Sequence, residues 1–128
     1  MLKDLSSLVA PCVWAAALRT ITRGWTCAAS FGARAACRFG CGVGEDSLDH
    51  LPYCRVAADL YRRHFSVDLA LGSDRVANFL LLKTPAPLLS AAASALYALY
   101  RAHNAARHGA ASASDVFVQV AREGRDAV

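Results

Sequence analysis

Apolar positions along this chain recur at steps of three and four far more often than at steps of two. That period belongs to helices that bury one side. The first predicted helix runs from Leu8 to Thr22, with Val9, Cys12, Val13, Ala16 and Ala17 on one face. Pro11 fits its first turn, where a missing N–H costs nothing, and Gly24 stops it. The second, Arg55 to Phe65, places Val56, Leu60, Tyr61 and Phe65 on one side and Arg55, Arg62, Arg63 and His64 largely elsewhere. A linker from Asp68 to Asp74, with Gly72 inside it, leads to a short apolar helix, Val76 to Leu82, capped by Ser73 or Asp74. Thr84-Pro85-Ala86-Pro87 marks a boundary. Thr84 is expected to cap, and Pro85 to start, the longest helix, which ends near Gly109. Its apolar face reads Leu88, Leu89, Ala92, Ala95, Leu96, Leu99 and Tyr100. Arg101, His103, Arg107 and His108 collect toward its exposed end, where the negative end of the helix dipole favours cations. Ser112 or Ser114 caps a last short helix carrying Val116, Phe117 and Val120. Strand-like alternation is scarce and no internal repeat is present, so the expected fold is mainly α.

Helical periodicity lapses between Trp25 and Cys54, and the chemistry gathers there. The stretch CRFGCGVGEDSLDHLPYC holds Cys37, Cys41, His50 and Cys54 in the spacing C-x3-C-x8-H-x3-C. Two nearby thiols, a Gly-rich turn, a histidine and a third thiol are what a tetrahedral Cys3His zinc site requires, and such a structural site leaves no position open for substrate. Gly40, Gly42 and Gly44 allow the chain to bend around a small ion. Glu45, Asp46 and Ser47 supply cap chemistry for a short helical turn presenting His50. Pro52 interrupts that turn, and Cys54 opens the next helix. A thiolate at a helix N-terminus is favoured by the dipole. Asp46 and Asp49 are expected as caps or as partners of His50. The alternative is a reduced, partly buried set of cysteines with His50 as an ordinary cap residue. Trp25 and Phe31 are expected to pack beside the site rather than to stand free for stacking on a base.

Composition narrows the class. With 128 residues the chain suits one domain with a modest core. Residues 1–68 supply the first helix and the zinc knuckle, and residues 69–128 a helical region packing on it. Hydrophobic residues make up 55% and charged residues 19%, which is globular rather than disordered. Much of the apolar share is alanine, which buries little area, so a metal or a partner is expected to help. The net charge of +4 suits a polyanionic partner without demanding one. Five cysteines is an odd count; Cys12 and Cys27, outside the ligand set, read as buried free thiols. Lys3 is offset by Asp4 and Pro11 splits the apolar run, which weakens a signal-peptide reading of the first residues. The most apolar run, Leu88 to Tyr100, falls short of the ~18 residues of a membrane span. A reducing setting, nucleus or cytoplasm, is expected.

Several chemistries lack their residues. No Gly-rich phosphate loop follows a strand, and no Ser–His–Asp set is suggested. Cys37 and Cys41 lack the C-x-x-C spacing of a redox pair. No enzyme activity, catalytic residue or small-molecule substrate is expected within this chain.

Leu18-Arg19-Thr20, Gly24-Trp25-Thr26, Cys37-Arg38-Phe39-Gly40-Cys41-Gly42, Glu45-Asp46-Ser47-Leu48-Asp49-His50 and Cys54 together resemble the zinc-binding region downstream of the polymerase domain in non-LTR retrotransposon (LINE-type) reverse transcriptases. The likeness covers roughly residues 15 to 65, and the stretch from Leu96 to Gly109 is similar to the helix that follows this region. The family usually begins with C-x2-C and has a slightly longer gap from His to the last Cys. The resemblance implies Zn2+ held by Cys37, Cys41, His50 and Cys54, and a chain that is the tail of an RNA-directed DNA polymerase polyprotein, a fragment of one, or a small protein derived from it. The carboxylate pair of the polymerase motif is absent here. Basic residues near the knuckle, Arg34, Arg38, Arg55, Arg62 and Arg63, are the expected contacts to RNA or DNA phosphates. The competing expectations are a structural or protein-interaction module packed against an upstream reverse transcriptase domain, and a decayed retroelement fragment.

Overall fold

Alanine decides how this fold packs. In a computed structural model that describes residues 9–28, 32–70, 74–82, 84–109 and 111–126, the chain forms helices α1 (Pro11–Ile21), α2 (Arg55–Phe65), α3 (Arg75–Phe79), α4 (Ala86–Arg107) and α5 (Ala113–Asp126), with a 3-10 turn at Leu51–Tyr53. Helix α4 has 22 residues, roughly 33 Å of length at 1.5 Å per residue. It packs against α1, α2 and α5. Ala92, Ala93, Ala95, Ala98 and Ala102 are all buried. Their small side chains let three neighbours approach the α4 backbone, and Leu89, Leu96 and Leu99 fill the remaining space. Helix α5 adds Phe117, whose ring stacks on Tyr61 at 6.1 Å and meets Phe65 edge-on at 5.7 Å. One hydrophobic cluster runs through all these elements. Among the described residues there is no strand, only a single antiparallel bridge between Ala36 and Glu45. No described helix is long and apolar enough to cross a membrane.

The helix ends follow local chemistry. Asp74 accepts a hydrogen bond from the Ala77 N–H (3.1 Å) and caps α3. Ser112 Oγ accepts from the Asp115 N–H (3.3 Å) at the start of α5. Ser66, at φ 55°, closes α2 with bonds from its N–H to Arg62 O and from the Val67 N–H to Tyr61 O. Pro11 occupies the first turn of α1, and Cys54 stands at the N-cap of α2.

Several expectations shift. Leu8 and Ser73 lie outside the described residues. Helix α3 ends at Phe79 rather than Leu82, because Leu81 takes a left-handed φ of 64°. Pro85, with an extended ψ of 144°, is the N-cap of α4, so the helix begins one residue later and Thr84 is not its cap. Leu88 is 44% exposed, because the inward side of α4 starts at Leu89. Cys12 is exposed: the buried residues of α1 are Val13, Ala16, Ala17 and Thr20, a face centred away from it. The largest departure is His103, expected on a solvated helix end and found 1% exposed. It continues the spacing of Leu96 and Leu99, on the side of α4 that looks toward the cysteine segment.

Leu99 is completely buried in α4. Leu99→Ala should therefore cost about 2–5 kcal/mol of stability in urea titration, the range for emptying a packed leucine site. Leu88→Ala should cost well under half as much.

Candidate metal centre

A tight hairpin, a one-turn 3-10 segment and a helix start bring the four ligand candidates together. The hairpin is closed by the Cys37 N–H to Gly44 O (3.1 Å) and the Asp46 N–H to Ala35 O (2.9 Å), either side of the Ala36–Glu45 bridge. Gly40 and Gly42 sit at φ +71° and +79°, which residues with a Cβ rarely adopt, so the turn that swings Cys41 back toward Cys37 depends on both glycines. Ser47 Oγ accepts from the His50 N–H (3.2 Å), the cap expected for the turn that carries the imidazole. Pro52 lies inside the 3-10 turn rather than breaking it, because the early positions of such a turn need no proline N–H. Gly44 lies against the His50 ring so closely that a Cβ there would overlap the imidazole.

The side chains converge. One ligand atom from each of Cys37, Cys41, His50 and Cys54 lies within 4.8 Å of all the others. Cys37 Sγ is 3.8 Å from Cys54 Sγ, and Cys41 Sγ is 3.3 Å from His50 Nε2. A tetrahedral centre with bonds of about 2.3 Å to sulfur and about 2.0 Å to nitrogen has edges of about 3.8 Å between sulfurs and about 3.5 Å between sulfur and nitrogen. The four residues fit a metal ion of that kind. The three cysteines are buried and unpaired as disulfides. The hydrogen bond with Cys54 is the main reason the Cys37 thiol lies well below the usual range; burial opposes this, and the Phe39 and Cys41 N–H groups add to it. Cys54, on the other side of that bond, is pushed up by it and by burial. The Gly44 N–H points at Cys41 Sγ (3.5 Å). Backbone donors thus prepare at least one thiolate for a cation.

Asp46 does not serve His50. It is 3% exposed, and its carboxylate accepts from the Ala28 N–H (2.9 Å), from Arg38 Nε (3.2 Å) and from His103 Nε2 (2.7 Å). Burial alone would raise its pKa; the Ala28 N–H, His103 and Arg38 outweigh burial and hold it below the usual carboxylate value. Cys27 Sγ lies 3.7 Å from His103 Nε2, and its thiol is pushed up to about 12 by burial first and by the Asp46 charge second. Cys27, Asp46 and His103 also place ligand-type atoms within 4.8 Å of one another. Here the 2.7 Å contact is a hydrogen bond and Arg38 already neutralises the carboxylate, so this group is a buried polar link between the hairpin and α4. Trp25 covers it, with its ring 5.4 Å from that of His103 and its Nε1 donating to Thr20 Oγ1 (2.8 Å). Trp25 thus packs, as expected, though on this link. Phe31 lies outside the described residues. Asp49 pairs at the surface with Arg23 (3.0 Å) rather than with His50. The sequence signal for the link was present: a histidine at helical spacing within an apolar face.

The five candidate arginines divide. Arg34 pairs with Glu45 (2.6 Å), Arg38 with Asp46, and Arg62 and Arg63 with Asp59 (3.5 and 3.2 Å). Among the described residues Arg55 alone of the five faces no carboxylate; its guanidinium donates to Cys41 O (2.9 Å), which ties α2 to the hairpin. Comparison with known protein families, curated proteins and solved structures finds no match.

Gly44→Ala should displace the His50 ring and lose the metal as fully as His50→Ala does, read from the thiolate charge-transfer band of a cobalt(II)-loaded sample. Asp46→Asn should be destabilised, and the pH dependence has a definite sign. The folded pKa of Asp46 is lowered, so its contribution is complete above the ordinary carboxylate value and fades as pH falls through the lowered one. The stability gap between wild type and Asp46→Asn should stay constant from neutrality to about pH 4 and narrow only below it.

Proposed function

We propose that this chain is a zinc-binding accessory module that contacts RNA or DNA phosphates and has no catalytic site of its own. The convergence of Cys37, Cys41, His50 and Cys54 carries the reading. Three thiolates and an imidazole select zinc over hard cations such as magnesium. Four protein ligands leave no open position on the ion, which makes its role structural. What zinc supplies is cohesion, locking the hairpin, the 3-10 turn and the start of α2 together.

The nucleic-acid part draws on the resemblance of the Cys37–Cys54 segment and its flanks to the region downstream of the polymerase in LINE-type reverse transcriptases, and on arginines around the knuckle. In that reading the chain is the tail, or a descendant of the tail, of a retroelement polymerase. A second reading, a docking module for an upstream polymerase domain, is favoured by the exposed Leu82 and Leu88. They stand on the far side of the chain's Thr84–Pro87 boundary from each other and leave apolar surface open beside α4.

Native mass spectrometry of the chain should show one zinc per molecule, removed by chelator together with helical signal. Fluorescence anisotropy with a single-stranded oligonucleotide should show affinity falling about tenfold or more between about 50 and about 200 mM salt. A flat salt response would refute the nucleic-acid reading, and binding indifferent to chelator would refute the role given to zinc.

A further inference from the structure

We propose that Tyr53, together with Arg55 and Arg75, is a binding site for one unpaired nucleotide of a single-stranded nucleic acid. The ring stacks on the base and the two guanidinium groups take adjacent phosphates. This rests on the reading of the chain as a nucleic-acid module, and it names the residues and the strand type that such a module would use.

The first observation is which positive charges are already neutralised. Arg23, Arg34, Arg38, Arg62 and Arg63 each face a carboxylate at 2.6 to 3.5 Å. Arg55 and Arg75 do not. Arg55 donates to Cys41 O at 2.9 and 3.3 Å, and Arg75 donates to Pro52 O at 3.3 Å. A carbonyl oxygen fixes a guanidinium in place without cancelling its charge. The remaining N–H groups of each fork stay available for the paired bonds a phosphate accepts.

The second observation is the ring that neighbours both. Tyr53 is 60% exposed, the one aromatic residue among the exposed large apolar side chains. Among the described residues its ring meets no other ring and no cation. Arg55 follows it by two positions, and Arg75 is bonded to the carbonyl of the residue before it. Among the described residues Arg19, Arg101, Arg107 and Arg122 also face no carboxylate, but Arg107 is bonded to the His108 imidazole and Arg101 already covers the Tyr97 ring at 5.8 Å. Val76, 41% exposed beside Arg75, adds apolar surface next to Pro52 of the same turn.

The third observation is rigidity. Tyr53 stands between His50 and Cys54, and its N–H donates to His50 O at 2.8 Å. Two of the four metal ligands therefore frame its backbone, and helix α3, which begins with Arg75, packs on the same 3-10 turn. The backbone that carries the ring is therefore fixed before a strand arrives. The choice of single strand over duplex follows from the chemistry: an exposed ring needs a base face to stack on, and paired bases offer none along a duplex.

The test uses the full zinc-loaded chain and fluorescein-labelled single-stranded RNA and DNA of mixed sequence, the same strands with abasic sites, and the matching duplex. Tyr53→Ala should weaken single-strand binding about tenfold, with Tyr53→Phe close to wild type. The abasic strand should bind wild type weakly and lose nothing further in Tyr53→Ala. The double change Arg55→Gln and Arg75→Gln, which keeps side-chain donors for both carbonyls, should flatten the log–log salt slope by about 1.4. Arg122→Gln should leave binding unchanged, and zinc content should stay at wild-type level in every variant. If wild type binds single strands and Tyr53→Ala binds them equally well, or if duplex competes as strongly as single strand, the Tyr53 site is wrong while the broader reading stands. If wild type binds no nucleic acid, both fail. Whether RNA or DNA binds more tightly assigns the sugar preference of the same site.

Discussion

Three buried sulfurs and an imidazole nitrogen within 4.8 Å of one another make a concentration of lone pairs that only protons or a cation can hold together. Protons do so poorly, since a thiol is a weak donor with a single hydrogen bond to give. A single divalent ion does it at once, and the observed separations are those of its coordination edges. The hairpin with its two left-handed glycines, the Ser47-capped turn and the first residue of α2 each bring ligands to that point. None of these pieces has an apolar core of its own. An ion held there would join them at the point where they meet.

The hairpin is bound to the rest of the molecule by a different device. Asp46 gathers donors from a loop, from its own hairpin and from α4, and Trp25 seals the cluster from water. A buried charge of this sort contributes less to net stability than to alignment, because wrong registers leave it unpaired. Its partner stands on the helix that organises all the others, so the knuckle is indexed to α4 as well as attached to it. Where an alanine-rich helix offers little shape to lock against, a directional polar contact fixes the register.

Much of this was legible in the sequence. The bounds of α2, the boundary before α4 and the Cys3His set all have local signals, apolar spacing, prolines and ligand spacing, whereas α1 starts at Pro11 rather than at Leu8 because the proline occupies its first position and Ala10 is extended. What escaped was whatever depended on contact between distant segments. Asp46 sits immediately before the Ser47 cap and reads as cap chemistry, yet its partner lies on α4. His103 stands among Arg101, Arg107 and His108 and reads as part of a solvated basic end. Its spacing from Leu96 and Leu99 carries it onto the inward face, a signal that the neighbouring cations mask. Cys12 satisfies helical spacing but misses the buried side of α1 by about a quarter turn, a distinction that periodicity alone does not draw. The arginines were identifiable as a group; which of them keep an unbalanced charge depends on pairings such as Arg62 and Arg63 with Asp59.

Cys54 is at once the last ligand of the candidate centre and the N-cap of α2. Starting a helix is the unfavourable step, because several backbone angles must be fixed for the first hydrogen bond. Here the residue that would hold the ion has its extended backbone already set at the point where α2 begins. An ion captured by Cys54 would therefore also favour the start of α2, and with it the alignment of Ala57, Leu60 and Tyr61 toward α4 and α5.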